Sequence, residues 1–466
     1  MIGILKNNKL AAIFAVCFIY WGYLFFASHM DISMDAVSYE AIGKIISQEG
    51  WEVFLRNGPN REPLYPSLVA LSMVIAQKMA VPYQYIQKGF QIGILFLTQL
   101  LMLVVLKRLN IPQSISYLVI LYLGFSPGVV NSVFSLYSEI VSFPFVLAYV
   151  LLNAFIWEKF KSASLSEILI LGVLSGFFYF LATFTKGIFL FLMISTLAVY
   201  FFAGIFQREF FIKTFAYILA TFALFQSFFI PYKWLNKKYN DNYVYTTRFE
   251  PLFYANVVKR TVPMTKRIVW AHLAFIPGEG VCRKYFTQEE CDYCGLQEED
   301  RISGLVLPKF LDGLTKDEGR KKTMAMALDS IRQKPFHYVF FSVIESLRMF
   351  FWESTRIGFV KYPEWLGNIY SFKLFKDGLR FTVSVITLWA FGCFCVHAAA
   401  NLKTTFSFNA QKGNGLALNF FILWGTVVFV LGYSVVTVLT RYALPLVPLY
   451  LIMIAFVLNK TFLSKI

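Results

Sequence analysis

The chain has 466 residues, of which 58% are hydrophobic and only 15% are charged, whereas soluble domains contain roughly 25% charged residues. With a mean hydropathy of +0.59, the composition excludes a soluble globular protein and predicts an all-α polytopic membrane protein. The net charge of +16 does not indicate a nucleic-acid partner, because much of the basic excess lies in short loops, where Lys and Arg set membrane orientation. Basic residues outside the membrane favour an anionic membrane surface or an anionic lipid substrate.

Apolar runs of nearly the length needed to cross a bilayer, about 20 residues, recur along the chain. The predicted membrane spans are 10–27, 88–106, 114–130, 139–157, 165–183, 187–205, 210–231, 380–400, 416–436 and 441–459. A signal peptide would have a shorter apolar core and a small-residue cleavage site. We therefore expect the first run to remain as an uncleaved span.

Basic pairs in alternate loops predict the orientation of these spans. The pairs are Lys6 and Lys9, Lys107 and Arg108, Lys159 and Lys161, Arg208 and Lys213, Lys403 and Lys412, and Lys460 and Lys465. By the positive-inside rule, these loops and both termini are expected in the cytoplasm. The run 64–80 is also apolar, but counting it as a crossing would invert every later loop. We therefore expect a helix that lies at the outer interface or re-enters the membrane.

A hydrophilic block, 232–376, separates an N-terminal membrane module, 1–231, from a C-terminal module, 377–466. It retains Trp, Phe and Leu throughout, which predicts a folded insertion rather than disorder. Loop parity places this block on the outer side, like the first outer loop, 28–87. Near its end we predict two helical stretches broken at a proline, the second of which, 336–352, is interfacial or membrane-embedded.

Three cysteines, Cys282, Cys291 and Cys294, lie in the insertion. Their spacing would suit a zinc site only with a fourth ligand, for which His272 is the nearest candidate in sequence. Outside the cytoplasm, a disulfide is the better expectation. We predict a bond between Cys282 and either Cys291 or Cys294, and no structural metal.

Charged and aromatic residues gather at the predicted outer ends of the spans. The patterns are Asp35-Ala-Val-Ser-Tyr39, Arg61-Glu62-Pro-Leu-Tyr65-Pro, Ser138-Glu139, Thr185-Lys186-Gly187 and Arg441-Tyr442-Ala-Leu-Pro-Leu-Val-Pro. Burying a charge near lipid is costly, so a carboxylate at the mouth of a membrane bundle, as Asp35 is expected to be, is a candidate functional group. A tyrosine four residues later shares its helix face.

This set of patterns resembles the GT-C superfamily of membrane glycosyltransferases, in particular bacterial members akin to protein mannosyltransferases and to the aminoarabinose transferase of lipid A. The resemblance covers 31–205 and 440–459, with a further helix ending in Ile-Arg-Gln-Lys-Pro-Phe-His-Tyr. Two departures are the single Asp where many relatives have Asp-Glu, and an insertion that matches only in its last third. The resemblance implies a GT-C-like bundle of about ten spans in the bacterial inner membrane, with 232–376 in the periplasm.

The resemblance also implies the chemistry. The donor would be a polyprenyl-phosphate-linked sugar, and the acceptor a glycan, a glycolipid or a protein. The protein would also contact membrane lipid. The acceptor hydroxyl needs a base and the leaving phosphate needs fixed cations. The implied roles are as follows: Asp35 as base of an inverting transfer, Glu139 assisting it or orienting the acceptor, Lys186, Arg441 and Arg61 as phosphate ligands, and Tyr39, Tyr65, Glu62 and Tyr442 as substrate-lining residues. The resemblance implies no particular cofactor and leaves a divalent metal open.

Each residue also has a purely structural interpretation. Lys186 would then be a turn residue whose amine snorkels to the headgroups, and Arg441 an anchor for the last span. Glu139 would be an acid favoured by the helix dipole. Tyr39 and Tyr65 would be ordinary interfacial aromatics.

Two other functions remain as alternatives. An O-antigen ligase or polysaccharide polymerase also has many spans and a large outer loop, but would be expected to depend on Arg and His in that loop. A transporter or flippase would need ionisable groups at mid-membrane, whereas the charges here gather at the outer ends of the spans.

Overall fold

The computed structural model describes residues 8–354, 359–406 and 415–463, and nearly all regular structure in them is helical. The one exception is a short antiparallel pair of strands, β1 (His29–Met30) and β2 (Val360–Lys361). Three of the lysines used to predict the orientation, Lys6, Lys412 and Lys465, lie outside the described residues.

Residues 8–240 form eleven α-helices. These are α1 (Asn8–Ala27), α2 (Asp35–Gln48), α3 (Trp51–Arg56), α4 (Leu64–Met79), α5 (Tyr83–Arg108), α6 (Gln113–Phe125), α7 (Pro127–Phe134), α8 (Glu139–Lys159), α9 (Leu165–Thr185), α10 (Ile188–Phe206) and α11 (Phe211–Asn240). A 3₁₀ turn at Arg208–Phe210 precedes the last of them.

Shorter helices follow in the insertion: α12 (Phe249–Arg260), α13 (Lys266–Phe275), α14 (Glu279–Tyr285), α15 (Gln288–Asp292), α16 (Leu296–Arg301), α17 (Leu307–Leu311), α18 (Lys316–Gln333), α19 (Pro335–Ser346) and α20 (Glu364–Ser371). The chain ends with α21 (Lys373–Ala400), α22 (Leu402–Phe406), α23 (Leu416–Val436) and α24 (Val447–Leu458). The 3₁₀ segments Leu347–Phe350 and Thr440–Leu446 and the π-helical segments Ile302–Val306 and Asn459–Leu463 connect or extend these helices.

Within the described residues, nine helical segments are long and apolar enough to cross a membrane. They are α1, α5, α8, α9, α10, the run Arg208–Asn240, α21, α23 and the run Thr440–Thr461. A tenth span results if the bent pair of α6 and α7 is counted as one. The prediction of an all-α polytopic membrane protein with about ten spans is therefore confirmed. The apolar helix α4, which is not counted as a span, is shorter than these helices.

The predicted span 114–130 is broken, and its two halves, α6 and α7, meet at an angle of 48°. Pro127 begins α7 and has no N–H to continue the preceding helix. The break leaves amide groups without helical partners, and a buried carboxylate satisfies one of them. Glu353 accepts hydrogen bonds of 2.7 Å from the backbone N–H of Gly128 and from the Ser126 hydroxyl. The sequence pattern alone did not indicate this carboxylate.

Two predicted module boundaries fall inside helices. α11 continues past Pro231 to Asn240, and α21 begins at Lys373, within the predicted insertion. Hydropathy decreases where polar residues begin, but backbone hydrogen bonding continues through these polar turns. The helical ends therefore extend beyond the apolar runs from which the boundaries were predicted.

The insertion has small hydrophobic clusters of its own. Of the two disulfide pairings left open, the structure contains Cys282–Cys291, and Cys294 is a buried free thiol. The helix break expected at Pro335 is present between α18 and α19. Along α19, Phe336, Val339 and Val343 are 57–68% exposed. This unburied apolar face is the pattern of a helix that lies at a membrane interface.

Candidate functional site

Residues from opposite ends of the sequence line one cavity of about 440 Å³. Eight of the nine predicted catalytic, phosphate-binding and substrate-lining residues contribute to its wall: Asp35, Tyr39, Arg61, Glu62, Glu139, Lys186, Arg441 and Tyr442. They come from the start of α2, the loop before α4, the start of α8, the turn between α9 and α10, and the 3₁₀ segment before α24. Because adjacent spans run in opposite directions, these segments meet at one end of the bundle.

Tyr65, the ninth predicted residue, is buried behind this wall. Its ring packs edge-to-face against Tyr39, with 4.9 Å between the ring centroids. Its hydroxyl donates a 2.9 Å hydrogen bond to Gln91 on α5. Tyr65 therefore supports a residue of the cavity wall and does not itself contact the cavity.

Asp35, the first residue of α2, lies between two arginines. One carboxylate oxygen accepts a 2.6 Å hydrogen bond from Arg61, and the other accepts one from Arg441. The Asp35 side chain is 20% exposed, so the carboxylate is reachable from the cavity. Burial would raise the pKa of Asp35, but the two guanidinium groups outweigh it and hold the pKa below its usual value. The carboxylate is therefore ionised at neutral pH.

Lys186 forms a second, more deeply buried ion pair with Glu139. The amine lies 3.0 Å from Glu139 Oε1, and the two side chains are 9% and 4% exposed. Burial opposes the charged form of Lys186, yet the neighbouring carboxylate raises its pKa above the usual value. The other oxygen, Glu139 Oε2, is buried and has no hydrogen-bond partner within the described part of the chain. Lys186 is thus directed into the protein rather than toward lipid headgroups.

The turn that carries Lys186 is fixed by a carboxylate from the first loop. Glu62 Oε1 accepts a 3.0 Å hydrogen bond from the backbone N–H of Gly187. On the opposite wall, the Tyr442 ring stacks on Tyr433, with centroids 4.8 Å apart, and lies 5.4 Å from the Lys186 amine. The cations are therefore framed by aromatic faces, which attract positive charge.

Several cavity residues were missed by the sequence analysis. Lys233 lies at the polar end of α11, Arg248 just before α12, and Glu250 and Arg320 on α12 and α18. They belong to the predicted insertion and have no spacing relationship to the span ends. α11 itself brings Lys233 to the cavity, whereas only the fold-back of the insertion brings Arg248, Glu250 and Arg320 there, and that long-range contact has no local sequence signal.

A divalent cation does not fit the part of this cavity around Asp35. Both oxygens of Asp35 face guanidinium groups, which would repel a metal ion and occupy its ligand positions. Across residues 8–354, 359–406 and 415–463, no group of three or more His, Cys, Asp or Glu side chains is arranged to hold a metal.

Comparisons with known proteins identify no family for this chain. No protein-family model matches it, and no curated protein and no solved structure matches it. The fold and the cavity therefore define the class, a multi-pass membrane protein with a polar site at one end of its helical bundle.

Proposed function

We propose that this protein is a glycosyltransferase that moves a sugar from a polyprenyl-phosphate donor to an acceptor at the outer face of a bacterial inner membrane. One observation carries the proposal. An accessible carboxylate, Asp35, and three basic side chains, Arg61, Lys186 and Arg441, come from distant segments to line one cavity at the end of a membrane bundle. A carboxylate base and fixed cations are what transfer from a phosphate leaving group needs.

The apolar part of the cavity suits the prenyl chain. Beyond Lys186 the wall continues along α10 with Ile188 and Phe191, and Phe229 of α11 contributes to it as well. Phe191 is 43% exposed, so this side of the cavity reaches the lipid-facing surface of a span. A donor with a charged headgroup and a long hydrocarbon tail would meet matching surfaces at both ends.

The bonds in the proposed step balance without a cofactor. The acceptor oxygen attacks the anomeric carbon and forms the new C–O bond, while the bond from that carbon to the phosphate oxygen breaks. The electron pair leaves with the phosphate, whose charge Lys186 and Arg441 stabilise. The acceptor proton passes to the carboxylate of Asp35. Attack opposite to the leaving group inverts the configuration of the sugar.

The arginines around Asp35 would link binding of the donor phosphate to the basicity of the carboxylate. Held by two guanidinium groups, Asp35 is ionised but weakly basic. Arginine also binds phosphate with paired hydrogen bonds. A donor phosphate that draws Arg441 toward itself would loosen its hold on Asp35 and raise the basicity of the carboxylate. In this mechanism, donor binding prepares the base for the acceptor.

The test is a transfer assay with purified protein in lipid nanodiscs, polyprenyl-phosphate sugars and candidate acceptors. Asp35→Asn removes the base while keeping its size, so transfer should decrease by about 10²–10⁴-fold, the usual worth of base catalysis. Asp31→Asn is the matched control, because Asp31 lies on the same loop but pairs with Lys361 at 3.5 Å. Near-normal transfer by Asp35→Asn, or an equal loss in both variants, would contradict the assignment.

A further inference from the structure

The cavity contains a second group of basic side chains, away from Asp35, whose charge is not balanced. This group is Lys233, Arg248 and Arg320. At the catalytic end, three basic side chains face three acidic ones. The second group faces one carboxylate on the cavity wall, Glu250, and Arg320 also pairs with Asp317, so a net charge of +1 remains. The excess positive charge of the cavity therefore lies at this far end.

Within the described part of the chain, two of these cations have no acidic partner. Arg320 lies 3.6 Å from Glu250 and 2.8 Å from Asp317, and its buried Nε has no hydrogen-bond partner among the described residues. By contrast, no acidic side chain in 8–354, 359–406 and 415–463 forms an ion pair with Lys233 or Arg248. Partly buried cations without counter-charges create a local field that attracts anions.

Aromatic side chains separate this group from the catalytic end. Tyr245 bonds through its hydroxyl to the backbone of Thr183, close to the turn that carries Lys186. Its ring lies 5.3 Å from that of Phe229, and Phe229 in turn lies 5.7 Å from the Lys233 amine. These two rings lie between the turn of Lys186 and the amine of Lys233, so the two basic groups occupy different parts of the cavity wall.

The second group also lies close to the lipid-facing surface. Trp234, the neighbour of Lys233 on α11, is 59% exposed, and Phe228 and Ile230, within the two preceding turns, are 40–41% exposed. Exposed apolar residues that end in a Trp and a Lys are typical of a span at the membrane–water interface. An anion that reaches Lys233 along this surface would belong to a lipid headgroup.

We infer that Lys233, Arg248 and Arg320 bind the phosphate or carboxylate of a lipid-borne acceptor while the donor phosphate occupies the catalytic end. This inference rests on the proposed function and names its acceptor class as an anionic lipid or glycolipid. The headgroup anion, held at the far end, would position a neighbouring hydroxyl toward Asp35. The chain would thereby select acceptors by charge, at a position remote from the reacting atoms.

The test measures binding of four probes to the purified full chain: short-chain phosphatidic acid, phosphatidylcholine with the same chains, inorganic phosphate, and farnesyl phosphate as a donor-like probe. The double variant Lys233→Gln/Arg248→Gln should weaken phosphatidic acid binding by about tenfold to a hundredfold, because it removes charge-assisted hydrogen bonds. Phosphatidylcholine and inorganic phosphate should bind far more weakly than phosphatidic acid. Farnesyl phosphate binding should be unchanged in this variant and lost in Lys186→Gln.

Lys237→Gln/Lys238→Gln is the matched control, since it removes the same charge from exposed positions on the same helix. An equal loss in this control would mean a diffuse surface effect and would overturn the inference. Tight binding of inorganic phosphate would overturn its lipid part. Loss of farnesyl phosphate in the double variant, with Lys186→Gln normal, would move the donor to the far end.

Two further outcomes separate this inference from the proposed function. If phosphatidic acid binding depends on Lys233 and Arg248 but no sugar transfer is detected, the binding site stands and the glycosyltransferase assignment fails. If transfer occurs with equal rates on neutral and anionic acceptors, the enzyme stands and the acceptor site fails. The single variant Lys233→Gln repeats the measurement if the double variant melts at a lower temperature than the wild type.

Discussion

Asp35 in the cavity and Glu345 in the insertion are both carboxylates held by arginine, but their surroundings differ. Arg260 donates two hydrogen bonds, of 3.1 and 2.6 Å, to one oxygen of Glu345, and the two side chains are only 0% and 3% exposed. Arg260 also donates to the backbone carbonyl groups of Ser434 and Val435 at the end of α23. This ion pair is sealed and ties the insertion to the membrane bundle.

The ion pairs of Asp35 are different because the cavity reaches them. Asp35 is 20% exposed and Arg441 18% exposed. Each hydrogen bond between them can therefore be exchanged for one to a ligand without opening the fold. Charge pairing alone thus does not identify a functional carboxylate in this molecule. Asp35 and Glu345 differ in whether a ligand can reach them. We therefore expect substitution of Glu345 to reduce stability and substitution of Asp35 to reduce transfer.

The largest effect on stability is expected from Glu345→Gln. It leaves Arg260 buried without its counter-charge, and breaking a buried ion pair in this way costs about 3–5 kcal/mol. Thermal unfolding in detergent, followed by Trp fluorescence, should show a clearly lower melting temperature. Asp35→Asn should lower the melting temperature less than Glu345→Gln does, because Arg441, 18% exposed, stays within reach of water and only Arg61, 8% exposed, is left in a buried position.

The reverse result would remove this distinction. A melting temperature that decreases as much for Asp35→Asn as for Glu345→Gln would mean that both ion pairs hold the fold together. Asp35 would then be a structural residue, and its effect on transfer would no longer indicate a base.

Acidification should lower the free energy of unfolding, because the buried carboxylate of Glu345 has a lowered pKa in the folded chain. Burial would raise the pKa of Glu345, but Arg260 and its basic neighbours lower it from 4.5 to about 2. The unfolded chain therefore takes up this proton first, and the stabilising contribution, complete above pH 4.5, is lost as pH decreases toward 2. By pH 4 the loss is roughly 1 kcal/mol.

His272, 3.9 Å from Glu345, contributes in the same direction over a different pH range. Burial is the main cause of its lowered pKa, so the unfolded state binds a proton first as pH decreases through 6.5. Melting temperatures measured from pH 8 to 4 should decrease in two stages. Glu345→Gln should remove the lower stage, and His272→Gln the upper stage. A flat profile for the wild type would contradict both assignments.

The sequence was sufficient for the parts of this structure that local patterns encode. Apolar runs of span length predicted the number of membrane spans, and outer-end motifs named eight residues that line the cavity. The sequence was insufficient where a residue distant in the chain contacts a helix or the cavity wall. Glu353 accepts hydrogen bonds at the break in the third predicted span from 231 residues away in sequence, measured to Tyr122. Arg248 and Arg320 reach the cavity only because the insertion folds over it, and Lys233 reaches it because α11 continues past the predicted end of its span.

The smallest effect is expected from a residue on the cavity wall, Tyr39→Phe. The hydroxyl of Tyr39 forms a 3.1 Å hydrogen bond with Ser138, next to Glu139, and the ring lies 4.9 Å from the Arg61 guanidinium carbon. Phe keeps the ring beneath Arg61 and loses only the hydrogen bond, which is worth about 0.5–1.5 kcal/mol. Transfer should therefore decrease by no more than about tenfold, as measured by kcat/KM. Tyr39→Leu also removes the aromatic face that attracts Arg61, so its decrease should be larger. If the two variants lost equal activity, the hydroxyl rather than the ring would be the important group, and Tyr39 would act through Ser138 on Glu139 rather than through Arg61 on Asp35.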